Sequence, residues 1–325
     1  MSSPLLSEMP ARYQVHHLTT YFYSQPVSLS RHLLHLTPRD CEVQMLGSHR
    51  IDVLPQPAMR RAWQDSFGNT AVALAFEAPH DTLRVLAESV VTTQPRSISG
   101  DLGRLTVGDL RRWLAFRGGA PAAASAFLFS SPHVRFVAEL DRWVERFLPD
   151  DAPVVAALDA LTGAIHREFR YLPGATTVST TVADLLNHRA GVCQDFAHFF
   201  IACVRRAGLA AAYVSGYLLT TPPPGQPRLC GADASHAWVA VPLPQDASGV
   251  QWLECDPTNG GRVDARYVML ARGRDFGDVS PLRGVILGGG EHRLEVQVTV
   301  SPEGEGLAQG SLLLTGSSAL PEGAG

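Results

Sequence analysis

The hydrophobic pattern changes its period near residue 100, and this change constrains the fold more than any other feature of the sequence. Between Tyr13 and about Thr93, aromatic and β-branched residues alternate with polar ones in several short runs, which is the two-residue period of half-buried strands. Proline-containing breaks such as Gln25-Pro26 and the turn-like Phe67-Gly68-Asn69 separate the runs. Short strands joined by turns are typical of an antiparallel β-sandwich, and we predict one for residues 1–100.

Helical spacing dominates the next part of the chain. Apolar residues recur every three or four positions in 136–147 and 154–169, as on one face of an amphipathic helix. Strand-like runs return at 211–219, 235–241, 251–255 and 294–300. We therefore predict an α+β chain, with a helical segment and a core domain in residues 101–300. Residues 301–325 are rich in glycine, serine and proline, and we expect a disordered tail there.

The composition is that of an ordinary globular protein and excludes several functional classes. It is 45% hydrophobic and 18% charged, with a formal net charge of −4, so we expect neither nucleic acid nor a membrane as a partner. No secretory signal pattern is visible and the cysteines number five, which favours the cytoplasm over a disulfide-rich secreted class. All 27 basic residues are arginines, so the chain supplies no lysine amine as nucleophile or acyl acceptor.

Cys193 opens a predicted helix. Apolar residues follow it at positions 196, 199, 200, 203 and 204, a stripe that predicts helical packing against a core. Unpaired N–H groups and the helix dipole at this end favour a thiolate and a developing oxyanion. The small Gly191 allows a substrate carbonyl to approach the sulfur. The alternative is a buried cysteine that acts only as a small apolar side chain.

His236 and Asp256 lie on two successive predicted strands. Asp256 ends its strand directly before Pro257, and proline fixes the direction of the residue before it. If the two strands form a hairpin, Asp256 reaches one ring nitrogen of His236 and turns the other towards Cys193. We therefore predict a nucleophile, base and orienting carboxylate formed by Cys193, His236 and Asp256. His198 lies about 140° from Cys193 around the helix and is predicted to be structural.

These motifs carry a resemblance to a known family. The sequences GVCQDFAH at 191–198, DASHAW at 233–238 and DPTN at 256–259 resemble the bacterial transglutaminase-like superfamily. LTPR at 36–39 and DSFGN at 65–69 are similar to the β-rich domain that precedes its papain-like core in one branch. The resemblance implies that Cys193 is the nucleophile, His236 the general base and acid, and Asp256 the orienting residue. One departure is the triplet Ala210-Ala211-Ala212, where the family has a Pro-Ala-Arg-like sequence.

The predicted chemistry is acyl transfer on a peptide or protein substrate through a thioester, without a cofactor. Water as the acceptor gives a peptidase or amidase, which we favour, and an amine gives transglutamination. A non-catalytic binding module on the same fold is a second alternative. The third is a zinc site formed by Cys193, His236 and either Cys255 or Asp256. It is disfavoured because Cys255 and Asp256 point to opposite faces of one strand and no C-x-x-C pair is present.

Overall fold

The computed structural model describes residues 9–98, 102–115, 119–220, 235–245 and 249–304, and it confirms the α+β class. The first five strands are β1 Ala11–Leu34, β2 Gln44–Leu54, β3 Met59–Gln64, β4 Thr70–Phe76 and β5 His80–Thr93. The remaining strands are β6 Arg170–Tyr171, β7 Ala190–Gly191, β8 Ala212–Leu218, β9 Ser235–Gln245, β10 Gly249–Asp256, β11 Gly261–Arg262, β12 Tyr267–Gly273, β13 Leu282–Gly288 and β14 His292–Pro302. The α-helices are α1 Val107–Leu114, α2 Ala122–Ser125, α3 Leu140–Phe147, α4 Val154–Glu168, α5 Val182–His188, α6 Cys193–Arg206 and α7 Phe276–Val279.

The first sheet is antiparallel and is built around the 24-residue strand β1. The amino-terminal half of β1 pairs with β5 and β14, and its carboxyl-terminal half pairs with β4 and β13. The predicted break at Gln25-Pro26 is wrong, because β1 continues through Pro26. The pairing of β1 with β5 shifts register between Phe22 and Val27, and such an irregularity tolerates a proline that cannot donate to the ladder.

The end of the chain returns to this first sheet. Strand β14 includes the run at 294–300 that was predicted as a strand, and β14 and β13 both pair with β1. The pairing therefore crosses the boundary expected at residue 100. Strand β14 continues to Pro302, whereas residues 305–325 of the expected tail lie outside the described part of the chain.

The second sheet carries the candidate site. Its strand order is β11-β10-β9-β8-β12, and helix α6 packs against β9. Strands β9 and β10 form an antiparallel pair, which confirms the predicted hairpin. Phenylalanines 196, 199 and 200 of α6 are at most 1% exposed, and burial of such a side chain contributes about 1.5–3 kcal/mol. No described helix is both long and apolar enough to cross a membrane.

Side chains from the first sheet cover the outer edge of β12. The Gln44 amide donates to Met269 O and accepts from Met269 N, and the Asn69 amide does the same at Arg272. Arg39 holds the turn that presents Asn69, since its Nη1 donates to Phe67 O and to Asn69 Oδ1. An unpaired strand edge can pair with another chain and lead to aggregation. Here two amide side chains occupy backbone groups on the edge of β12, as a neighbouring strand would. The first sheet therefore fixes the strand that begins with Tyr267.

Candidate active site

Helix α6 begins at Cys193, as predicted, and presents the sulfur at its first turn. Asp195 Oδ2 accepts hydrogen bonds from Val192 N at 2.8 Å and from the Thr176 hydroxyl at 2.7 Å. The carboxylate therefore fixes the start of the helix and ties it to the preceding loop. Burial raises the pKa of Asp195, against these two hydrogen bonds that lower it. Cys193 itself is partly exposed, so a substrate can reach its sulfur.

Gly191 has a packing role in the structure. A Cβ atom added there would lie 2.8 Å from Asp195 Oδ2 and 2.9 Å from Leu185 Cδ1. The glycine therefore lets Asp195 and helix α5 approach the strand before Cys193. From the sequence, the approach of a substrate carbonyl is the expected reason for this glycine. The structure gives a different reason, which is close packing of Asp195 and Leu185.

His236 and Asp256 meet across the β9–β10 hairpin. His236 Nε2 lies 2.8 Å from Asp256 Oδ2, and the Asp256 carboxylate is fully buried. Cys193 is near enough to the ring for its side chain to help raise the pKa of the imidazole. The structure thus joins His236 to Asp256 by a direct contact and places Cys193 in their neighbourhood.

The charge of the imidazole is set by this environment. Burial alone would lower the pKa of His236. The Asp256 carboxylate and the Cys193 side chain raise it by more than burial lowers it, so the net pKa is about 10. The pKa of Asp256 is lowered by the hydrogen bond to His236, although its burial acts in the opposite direction. The Asp256 and Cys193 side chains therefore favour the protonated form of the imidazole.

Two further side chains hold the carboxylate in place and were not assigned a role from the sequence. The Tyr267 hydroxyl donates to Asp256 Oδ2 at 2.8 Å, and Asn259 Nδ2 donates to the same oxygen at 2.6 Å. The backbone N–H groups of Thr258 and Asn259 donate to Oδ1. Asn259 follows Asp256 by three residues, so a tight turn was a usable signal. Tyr267 arrives from β12, and nothing local in the sequence connects it with Asp256.

Trp238 closes the inner side of the site. Its ring lies 6.3 Å from the His236 ring centroid in a stacked arrangement and 5.4 Å from that of Tyr267. Gly216, opposite His236 on β8, makes room for it, since a Cβ there would lie 2.5 Å from the Trp238 ring and 2.1 Å from Val268 O. The missing side chain at Gly216 therefore leaves space for the indole beside the imidazole and the Tyr267 ring.

The other candidate residues lie away from this cluster. His198 is buried, stacks on His133 and accepts a hydrogen bond from Phe276 N, which fits its predicted structural role. Cys203 is buried in the core. Cys255 is also buried and contacts Thr162 of α4, and burial raises the pKa of its thiol to about 12. Asp233 and Ala234 of the histidine motif lie outside the described residues, as does Cys230.

No group of three or more histidine, cysteine or acidic side chains within the described ranges is placed to hold a metal ion. Cys255 and Asp256 point to opposite faces of β10, towards α4 and His236 respectively. This arrangement agrees with the alternation expected along a strand. The zinc alternative therefore gains no support from the geometry.

Comparisons with known proteins agree with this architecture. Residues 13–92 match the bacterial transglutaminase-like N-terminal region, and residues 141–257 match the transglutaminase-like superfamily. An uncharacterised protein of Mycobacterium tuberculosis is 42% identical over 302 residues, which cover 91% of this chain and 95% of the relative. An uncharacterised protein of Mycobacterium leprae is 31% identical, with coverage of 89% of this chain and 98% of the relative.

The fold also matches a solved structure. A crystal structure from Cytophaga hutchinsonii, of a protein provisionally assigned as a cysteine protease, superposes with a TM-score of 0.71. It is 20% identical and covers 92% of this chain and 93% of its own. At this identity the likeness concerns the fold alone, a β-rich region followed by a papain-like core. The two matched regions show that the chain belongs to the transglutaminase-like superfamily, with the bacterial transglutaminase-like N-terminal region before the core.

Proposed function

We propose that the protein is a cysteine-dependent acyl-transfer enzyme that hydrolyses peptide or amide bonds. The observation that carries the proposal is the contact between His236 Nε2 and the buried Asp256 carboxylate at 2.8 Å, in the neighbourhood of Cys193, whose side chain also raises the pKa of the imidazole. A cysteine at a helix amino terminus beside an imidazole is the arrangement in which a thiol is activated as a nucleophile. The membership of a family with a papain-like core supports the same chemistry.

The first half of the reaction forms a thioester. The Cys193 thiolate attacks the carbonyl carbon of the substrate, and the carbonyl oxygen becomes an oxyanion near the first N–H groups of α6. The His236 imidazolium then gives its proton to the leaving amine, and the C–N bond breaks. Asp256 keeps the ring in position and stabilises its positive charge throughout. The products of this step are the free amine and an acyl group bonded to sulfur.

The second half returns the enzyme to its starting state. His236, now neutral, takes a proton from a water molecule as the water oxygen attacks the thioester carbonyl. The C–S bond breaks, the acid is released, and the thiolate–imidazolium pair forms again. Water is the favoured acceptor because Cys193 is partly exposed, whereas amine transfer requires a site that excludes water.

The surroundings of Cys193 suit an extended peptide. Tyr171 pairs with Gly191 across β6 and β7, and Leu172 N donates to Gly191 O. Tyr171, Leu172 and Val178 are 51%, 38% and 61% exposed, so an apolar surface is available next to the cysteine helix. Exposed apolar side chains beside a nucleophile provide contacts for the side chains of a bound peptide.

Thiol alkylation against pH tests the activated pair. Iodoacetamide labelling of Cys193, followed by site-resolved mass spectrometry, compares wild type with His236→Ala. We expect fast labelling that persists well below the free-thiol pKa of about 8.5 and that is lost in His236→Ala. His188→Ala removes an exposed histidine of α5 and is the matched control, which should label like wild type.

Slow labelling that is indifferent to His236 would instead support the non-catalytic binding module. The acceptor is tested separately with a glutamine-containing peptide and a labelled primary amine. We expect formation of the carboxylic acid to exceed incorporation of the amine. Incorporation faster than hydrolysis would replace the peptidase proposal with transglutamination.

A further inference from the structure

A cavity lined by charged and apolar residues lies between the two sheets, and Cys193 does not line it. Its volume is about 450 Å³, which is within the range of small-molecule sites. The first-sheet region contributes Arg39, Cys41 and Arg96, and the core contributes Trp252, Glu254 and Arg272 among others. Neither sheet alone encloses it, so the cavity exists only because the first sheet docks on the core.

The charges around this cavity are unbalanced. Among the described residues, four arginines and two glutamates line it, and Arg262 is already paired with Asp159. In the interior, Arg96 and Arg272 share the single carboxylate of Glu254. The three side chains are 8%, 9% and 2% exposed. One buried anion therefore faces two buried cations, which is a costly arrangement without a further partner.

Hydrogen-bond donors in the cavity remain unused. The Nε atoms of Arg96 and Arg272 are buried and have no hydrogen-bond partner among the described residues. The Arg272 guanidinium lies over the Trp252 ring at 3.9 Å from its centroid, which orients it but satisfies no N–H group. Burial lowers the pKa of Arg96 to about 10 and that of Arg272 to about 9.

We propose that this cavity binds a small oxyanion, a carboxylate or a phosphate group, through Arg96 and Arg272. Guanidinium groups match both oxyanions with paired, charge-assisted hydrogen bonds. A ligand with one or two negative charges would neutralise the excess cation. The same ion cluster is also a bridge between the two sheets, since Arg96 follows β5 and Glu254 lies on β10. An ionic bridge between the sheets requires only one arginine to neutralise Glu254. A bound anion would account for the presence of the second arginine.

Isothermal titration calorimetry on the full chain tests the proposal. Inorganic phosphate and succinate are the two probes, titrated separately at constant ionic strength maintained with chloride. We expect saturable binding of at least one probe, and the better one identifies the oxyanion class. Phosphate binding alone indicates a phosphate-bearing ligand, and succinate binding alone indicates a carboxylate. Absence of saturable binding for both would overturn the proposal.

Variants locate the binding in the cavity. Arg96→Gln leaves Arg272 and Glu254 as a balanced pair, so the variant should fold and should bind the probe about tenfold or more weakly. Arg272→Gln is expected to act in the same direction. Arg146→Gln removes an exposed arginine paired with Glu168 and should bind like wild type. Unchanged affinity in both cavity variants, or an equal loss in Arg146→Gln, would assign the binding to another surface and reject this site.

Glu254→Gln gives a result of opposite sign. It removes the competing carboxylate, so affinity for the probe should rise several-fold, because both arginines then face the ligand. If the variant unfolds in chloride buffer, the proposal predicts that the preferred anion raises its thermal midpoint more than that of wild type. A lower affinity, or no rescue by the anion, would show that Glu254 and the arginines form only a structural bridge.

Discussion

Two buried ionic clusters share strand β10, and they differ in how far they neutralise positive charge. His236 and Asp256 form one of them, and Glu254, two residues before Asp256 on β10, belongs to the other. The pKa of His236 is raised to about 10 despite burial, which by itself lowers it. The pKa of Arg272 is lowered to about 9, mainly by burial. The first cluster is built to keep its cation, and the second holds more cations than it neutralises.

The difference lies in the hydrogen-bond partners. Asp256 accepts five hydrogen bonds, from His236, Tyr267, the Asn259 side chain and two backbone N–H groups. A carboxylate held in this way has one orientation, as an orienting residue requires. Glu254 instead faces guanidinium groups with unused donors. Trp238 separates the clusters, since it stacks on His236 and its Nε1 donates to Glu254 at 3.4 Å.

The largest expected effect comes from breaking the satisfied cluster. Asp256→Asn keeps the size of the side chain but places an amide where His236, Tyr267 and Asn259 all require an acceptor. We expect the rate of the proposed reaction to fall by about 10³–10⁴, the scale known for loss of an orienting carboxylate. The measurement is amide hydrolysis under single-turnover conditions, with iodoacetamide labelling of Cys193 as a substrate-independent readout.

Asp141→Asn is the control for this change. Asp141 is a half-exposed aspartate that pairs with Arg206 at the surface, so its replacement should leave the rate within about twofold, as for most surface changes. A loss below tenfold in Asp256→Asn would contradict the view that the carboxylate fixes the imidazole.

The sequence predicted those parts of the site that depend on position within one element. Cys193 begins a helix because an apolar stripe follows it, and Asp256 ends a strand because Pro257 follows it. The hairpin of β9 and β10 then follows from their adjacency in the chain. These features rest on local rules of capping, periodicity and strand ends, and they bring His236 to Asp256 without knowledge of the rest of the fold.

The remaining contacts depend on segments far apart in sequence and could not be predicted in this way. Tyr267 reaches Asp256 only because β12 lies next to β8 in a sheet whose order is not the chain order. Gln44 and Asn69 of the first-sheet region accept hydrogen bonds from backbone N–H groups of β12. Arg96 and Arg272 are ordinary arginines in the sequence, and their burial against Glu254 results from the docking of the two sheets.

The pH dependence of stability gives the next largest effect and compares the two members of the first cluster, His236 and Asp256. Because the pKa of His236 rises from 6.5 to about 10 on folding, its contribution is complete below pH 6.5 and is lost as pH rises towards 10. The lowered pKa of Asp256 adds stability above its usual value near 3.8 that is lost in acid. Wild type should therefore be more stable than His236→Gln by on the order of a few kcal/mol near pH 6 and by little near pH 10.

Urea unfolding of the two proteins between pH 5 and pH 10 measures this difference, with His188→Gln as the matched control for loss of an exposed histidine. A difference that stays constant over the whole range would mean that the pKa of His236 is the same in the folded and the unfolded protein. The proposed imidazolium would then be excluded, while the hydrogen bond to Asp256 would remain.

Tyr267→Phe gives the smallest expected effect and tests how far the satisfied cluster tolerates a missing donor. The phenylalanine keeps the edge contact with Trp238 but removes one of the hydrogen bonds to Asp256 Oδ2. Since His236 and Asn259 still donate to that oxygen, we expect a stability loss of about 1–2 kcal/mol and a rate reduction below tenfold. Tyr21→Phe in the first sheet is the control for loss of a tyrosine hydroxyl. A rate loss as large as that of Asp256→Asn would show that Tyr267, rather than the carboxylate alone, sets the position of the imidazole.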